Sequence, residues 1–249
     1  GKTTTTGMLG FLAEACGWDP TVVNGGCVLN WRTAQRPGNV RLGGSSLWIV
    51  EADESDRSLL ALTPHWAVIT NVSRDHFDLE QTWTVFADFV RRVKRGIVCS
   101  PEVAHELRSR LGGSPLQWIE ADPASVRDGA CAWQGRSYEV PVPGSHNAAN
   151  ARMALAAVGA LGGEPAEHAL AEFGGIERRL QRVGGAGGVT VYDDYAHNPA
   201  KIEAAWSTVA ARHERVLGLW RPHGFGPLAT LLGELTSALA PVSRPRALL

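Results

Sequence analysis

Apolar residues recur at helical spacing near the start of the chain. Met8, Leu9, Leu12, Ala13 and Cys16 share one side of a helix, and Gly17 with Pro20 stops it. Short apolar runs follow, bounded by polar or turn residues. Residues 21–23, 47–50, 66–70 and 97–99 predict strands, those at 47–50 and 66–70 buried ones. Trp83, Phe86, Phe89, Val90 and Val93 mark an amphipathic helix between the last two. Residues 101–111 predict a helix, and 116–119 and 137–142 predict strands of a small antiparallel addition. An Ala-rich helix runs from Ser145 to about Leu161, closed by Gly162-Gly163, and residues 165–173 predict another. Gly184 to Gly188 reads as a turn and residues 189–192 as a strand. Pro199 opens a helix carrying Ile202, Ala205, Trp206 and Val209. Residues 215–220 predict a strand and 228–239 a last helix. Strands alternating with helices predict the α/β class, with largely parallel sheets flanked by helices.

Length and composition narrow this picture. The 249 residues suffice for one large or two ordinary domains with a sizeable core. A net charge of −1 leaves no broad basic field for nucleic acid. Cys16, Cys27, Cys99 and Cys131 lack metal-ligand or redox spacing, so they read as small apolar residues in a reducing compartment. No apolar run approaches membrane-spanning length.

The chemistry-bearing residues cluster just after the strands, where open α/β sheets place ligands. The chain opens on Gly1-Lys2-Thr3-Thr4-Thr5-Thr6, the back half of a phosphate-binding loop leading into a helix N-terminus. In such a loop Lys2 reaches the β/γ-phosphates and the Thr3 hydroxyl holds magnesium, with Gly1 and Thr4 beside them. A plain capped helix start reads equally well from these residues alone. The first glycine of the motif is not in the sequence, so the chain is expected to be a piece of a longer protein. Asn24-Gly25-Gly26 allows close approach of backbone to a ligand, or is an ordinary turn. Glu51-Ala52-Asp53-Glu54-Ser55-Asp56 places carboxylates where one could bind magnesium. Asn71 and Asp75-His76-Phe77-Asp78 end the next strand, and His76 is a candidate metal or phosphate contact. His146, Asn147 and Asn150 either cap a buried helix or read a purine edge. Arg178-Arg179 is a solvated pair or a phosphate contact. Asp193-Asp194-Tyr195-Ala196-His197-Asn198-Pro199 and Pro222-His223 close the series.

In this order the segments resemble the Mur ligases, the ATP-dependent ligases that build the peptide stem of peptidoglycan. The match runs through residues 1–6, 51–56, 70–78, 144–150, 178–179, 193–199 and 222–223, nearly the whole chain. The run at 51–56 and the Asp-Asp-Tyr segment look most like the branch that joins L-alanine to UDP-N-acetylmuramate. The branch that attaches a tripeptide to the same sugar is close behind.

The resemblance implies a P-loop-type central ATP-binding domain over residues 1–175, with a mostly parallel sheet. It implies a truncated, Rossmann-like C-terminal domain over 176–249, and a UDP-sugar domain lying before Gly1. It implies ATP and Mg2+ as cofactors, a cytoplasmic setting, and UDP-N-acetylmuramate and an amino acid as substrates. Under it, Lys2 contacts the terminal phosphates, Thr3 and Glu51 (with Glu54 next) hold magnesium, and His76 serves a second magnesium. His146, Asn147 and Asn150 lie around adenine, Arg179 near the phosphates and Asp194 at the ribose. Asn24, Gly25, Asn71, Asn198 and His223 line the substrate side, with His197 among the catalytic groups. The sugar carboxylate would attack the γ-phosphate, and the amino group would attack the resulting acyl phosphate. Gly224 stands where alanine-adding members usually carry an arginine. Rival readings are a relative that adds another amino acid or peptide, including to a folate, and a phosphate-loop ATPase module. The piece itself is expected to be inactive in ligation.

Overall fold

A computed structural model describes residues 1–72, 78–123, 126–222 and 225–239. The chain divides into two compact units, Gly1–Glu177 and a second starting at Arg178.

In the first unit α1 (Lys2–Ala15) leads into β1 (Thr21–Val23), β2 (Val40–Arg41) and β3 (Trp48–Val50). These strands form one sheet in the order β2-β1-β3, with β1 and β3 parallel and β2 antiparallel. The next strands are β4 (Trp66–Ile69), β5 (Gly96–Cys99) and β6 (Gln117–Glu120), with helices α2 (Leu79–Val90) and α3 (Pro101–Leu111) as crossovers. They form a wholly parallel sheet, β4-β5-β6. Then β7 (Val126–Arg127), β8 (Ala130–Trp133) and β9 (Arg136–Glu139) make an antiparallel meander before α4 (Ser145–Ala160).

Local chemistry sets the helix starts. Asp78 caps α2 by accepting from the Gln81 amide at 2.8 Å. Ser100 caps α3 and Pro101 takes its first position, while Gly112 ends it in the left-handed conformation. Helix α1 is buried nearly all round, including Thr3, Thr4 and Thr5, because α4 packs along it. Strand β5 is buried on both faces, as central parallel strands are. Val98 joins the core of Met8, Leu12, Val22, Ile49 and Leu155. Its neighbours Ile97 and Cys99 point into a second core with Val90 and Leu107.

The second unit contains β10 (Gln181–Ala186), β11 (Val189–Asp193), α5 (Pro199–Ala210) and α6 (Phe225–Leu239). Its strands pair as an antiparallel hairpin with a bulge between Arg182 and Gly184. No parallel pair stands among its described residues. Asn198 caps α5 by accepting from the Lys201 amide at 3.0 Å.

The α/β class and most elements follow the hydrophobic pattern, with instructive exceptions. Residues 165–173 form no helix, but successive i→i+3 turns (Ala169 to Ala166, Ala171 to His168, Phe173 to Leu170) that bury Leu170 and Phe173. Residues 215–220 pair with no strand among the described residues, and Leu217 and Leu219 are exposed. Residues 116–119 were expected beside the antiparallel addition, yet this stretch supplies β6 of the parallel sheet. Gly184 and Gly185 lie within β10, and the turn is Gly187-Gly188 alone. Strand β3 is half-buried rather than buried: Ile49 faces the core, while Trp48 and Val50 are 64% and 44% exposed.

Candidate functional site

The loop into α1 brings hydroxyl, carboxylate and amide together. The Thr3 hydroxyl donates to Glu51 Oε1 at 2.8 Å, across from the end of β3. The other oxygen of that carboxylate, Oε2, accepts from the Gly25 amide at 2.6 Å. A Cβ at Gly25 would lie 2.7 Å from Glu51 Oε2, so a side chain there would have to shift the end of the Glu51 side chain. Asn24 is buried beside it, with its Nδ2 donating to the Gly26 carbonyl at 3.1 Å and its Oδ1 without a partner.

The remaining acids of the 51–56 run face Lys2. Its ammonium lies 2.6 Å from Glu54 Oε2 and 3.2 Å from Asp53 Oδ2. Burial pulls the Lys2 pKa down, but the hydrogen bond and charge of Glu54, then of Asp53, raise it overall. Burial pushes Asp53 up, yet the Ser55 hydrogen bonds and Lys2 outweigh it and hold Asp53 at about 2. Glu54, a candidate metal ligand from the sequence, and Asp53, which had no role there, both face Lys2.

Helix α4 supplies the third wall. The Gly1 nitrogen donates to Asn150 Oδ1 at 2.8 Å, and the Thr5 hydroxyl to the same atom at 3.3 Å. Asn150 Nδ2 donates to Asn147 Oδ1 at 3.1 Å, and Asn147 Nδ2 to the Pro143 carbonyl at 2.7 Å. Both amides are almost fully buried, so they bind α4 to the loop from within. His146 is half-buried. Burial lowers its pKa, and the charge of Asp128 opposes this.

Four described candidate residues fall in the second unit. Asp194 accepts from the Leu180 amide at 2.7 Å and the Ala196 amide at 2.8 Å, using both oxygens. Burial raises its pKa despite those bonds. Arg178 and Arg179 both lie over the Tyr195 ring, at 4.9 and 5.6 Å, a platform that the sequence reading did not name. His197 Nδ1 lies 2.9 Å from the Tyr195 carbonyl and its Nε2 lies 3.2 Å from Lys201 Nζ. Asn198 is the cap of α5. In the first unit, Asn71 Oδ1 accepts from the Thr70 hydroxyl at 3.2 Å. His76 and His223 lie outside the described residues.

No cluster of three or more His, Cys, Asp or Glu stands ready for a metal among the described residues. The Thr3 hydroxyl and the Glu51 carboxylate are nevertheless hard oxygen donors on one spot at a helix N-terminus. That set suits Mg2+, which keeps waters and phosphate oxygens alongside one or two protein ligands. A cleft of about 440 Å³ lies elsewhere, against Phe11, Glu14 and Trp31, and includes none of these residues.

Comparison with known proteins bears on the family. Residues 178–237 match the family model described as Mur ligase, glutamate ligase domain. UDP-N-acetylmuramate–L-alanine ligase of Synechococcus sp. (strain JA-2-3B'a(2-13)) is 38% identical over 253 residues, covering 94% of this chain and 52% of that protein. The chain thus spans about half the length of the curated relatives it matches. Among solved structures, UDP-N-acetylmuramate-alanine ligase from Thermotoga maritima gives a TM-score of 0.74 at 24% identity, covering all of this chain and 64% of that one. The Mycobacterium tuberculosis folylpolyglutamate synthase complexed with ADP gives 0.70 at 19%, over all of this chain and 71% of that one. The ordered motifs, the family model on the second unit and relatives matched along nearly the whole chain agree: this chain is similar to the Mur ligases over nearly all of its length.

Proposed function

We propose that this chain is the nucleotide-handling part of an ATP-dependent ligase that joins L-alanine to UDP-N-acetylmuramate. The observation that carries the reading is the Thr3–Glu51–Gly25 arrangement beside Lys2 at the start of α1. The named activity of the curated relatives supports the substrates. The ADP in the folylpolyglutamate synthase structure supports a nucleotide.

In the reaction two anions must meet, the sugar carboxylate and the γ-phosphate. Catalysis is then mostly charge neutralisation and positioning. Lys2 binds the terminal phosphate oxygens with its ammonium. The backbone N–H groups at the start of α1 offer further donors to the same oxygens. Thr3 and Glu51 would hold Mg2+, which when bound neutralises charge on the phosphates. Gly25 keeps Glu51 in place from the far side. Asn147 and Asn150 set the loop's distance from α4, and His146 is the member of that trio exposed enough to meet a base. On the resemblance, Arg179 and Asp194 serve the nucleotide, Asn24, Asn71, Asn198 and His223 the substrate side, His76 a second metal, and His197 the chemistry. The four cysteines are free, and no helix among the described residues is long and apolar enough to cross a membrane. The proposed setting is cytoplasmic.

Calorimetry of ATP with this chain tests the reading. Magnesium-dependent binding is expected, and Lys2→Ala should remove it. Glu51→Ala should raise the magnesium needed by tenfold or more, on the order of 1.4 kcal/mol. Binding that is indifferent to both substitutions would sink the assignment. Alanine, tripeptide and glutamate are then compared as acceptors, with the chain joined to a UDP-sugar domain.

A further inference from the structure

We infer that Glu54 is a positioning residue for Lys2, a carboxylate latch that a polyphosphate must displace and that therefore sets nucleotide affinity. The inference rests on the nucleotide reading above and adds a residue to it.

The two glutamates of the run are built for different partners. Glu51 has both oxygens engaged, one by the Thr3 hydroxyl and one by the Gly25 amide. Glu54 lies three residues on, and its Oε2 sits 2.6 Å from Lys2 Nζ. Its side chain is only 20% exposed, and that of Lys2 36%, so water screens the pair incompletely. Asp53 adds a second carboxylate at 3.2 Å, but it is 53% exposed and its Oδ1 is held by the Ser55 amide at 2.8 Å. Glu54 is thus the tighter partner and Asp53 the weaker one. Lys2 cannot give its ammonium to phosphate oxygens while holding this geometry, because the incoming anion would stand against Glu54 at short range. Binding therefore requires the Glu54 carboxylate to yield.

The sign of the effect separates this role from its rivals. A metal ligand or a purely structural carboxylate, when neutralised, weakens nucleotide binding or leaves it unchanged. A latch, when neutralised without loss of shape, strengthens it. The test is calorimetry on the whole chain with ATP, with tripolyphosphate in EDTA, and with adenosine. The variants are Glu54→Gln, Asp53→Asn, Lys2→Ala and the double variant Lys2→Ala/Glu54→Gln. The expected result is that Glu54→Gln binds ATP and tripolyphosphate roughly three- to tenfold more tightly, with adenosine unchanged. Asp53→Asn should give a smaller gain of the same sign. The double variant should match Lys2→Ala, since the latch acts only through Lys2. Weaker or equal phosphate binding by both Glu54→Gln and Asp53→Asn, with Lys2→Ala still abolishing it, overturns the latch and leaves the nucleotide site standing. ATP binding that ignores Lys2→Ala overturns both.

Discussion

Two residues around one carboxylate decide whether the loop can serve a metal. Glu51 is fixed by a hydroxyl on one side and a backbone amide on the other, so its position does not depend on a flexible partner. Gly25 is the sensitive member. An added methyl would fall 2.7 Å from Glu51 Oε2 and shift the end of that side chain. Gly25→Ala is expected to raise the magnesium needed for ATP binding by about tenfold and to change stability by less than about 1 kcal/mol. A magnesium titration at fixed ATP reads the first effect and urea denaturation the second; an unchanged titration would mean that Glu51 is not the ligand. His146 gives the site a pH response. Its folded pKa is lowered, chiefly by burial, so its contribution to stability is complete above the unfolded value near 6.5 and is lost as pH falls below it. Denaturation midpoints should decline from pH 7.5 to 5.5, and His146→Gln should flatten that slope.

At the scale of elements, the contact between α1 and α4 holds the loop in register, and its polar part is the Asn147–Asn150 pair. The pair bridges Gly1 and Thr5 on one side to Pro143 on the other. Asn150→Ala removes the acceptor for the Thr5 hydroxyl and leaves buried polar groups unpaired. It should cost about 1–3 kcal/mol of stability without any nucleotide present. An amide that only read a base would lower ATP affinity and leave the melting temperature of the chain unchanged. The sequence pattern could name these asparagines but could not choose between cap and base reader, because that choice depends on what α4 lies against. The same physics sorts the elements. Helix α2 was legible because its apolar spacing, carried by Trp83, Phe86, Phe89 and Val90, is a local signal. Residues 165–173 misled because their apolar spacing serves turns as well as a helix. Residues 215–220 carry a strand pattern, but a strand exists only with a partner. In the site, the strand-end acids were legible as carboxylates near phosphate. Their division between Thr3 and Lys2 was not, since it needs the angle at which the 51–56 turn leaves β3.

For the whole molecule, the two units differ in how much core each encloses. The first has two buried clusters that share β5 between them. Among its described residues the second buries Leu180, Ile202, Thr208 and Leu235, and leaves Val183, Val189, Val191, Leu217 and Leu219 exposed. Small units that bury little of their surface are marginal, because backbone entropy is lost per residue while hydrophobic gain grows with enclosed area. The second unit should therefore unfold at lower urea than the first. Tryptophans report on both: Trp206 lies in α5, while Trp31, Trp66 and Trp118 lie in the first unit. Fluorescence should show two transitions, and Trp206→Phe should diminish the amplitude of the lower one. Circular dichroism should lose helix in both steps, since α5 and α6 melt with the second unit and α1 and α4 with the first. Coincident transitions by both probes would mean that the chain unfolds as one cooperative body, and that the second unit draws its stability from more than its own core.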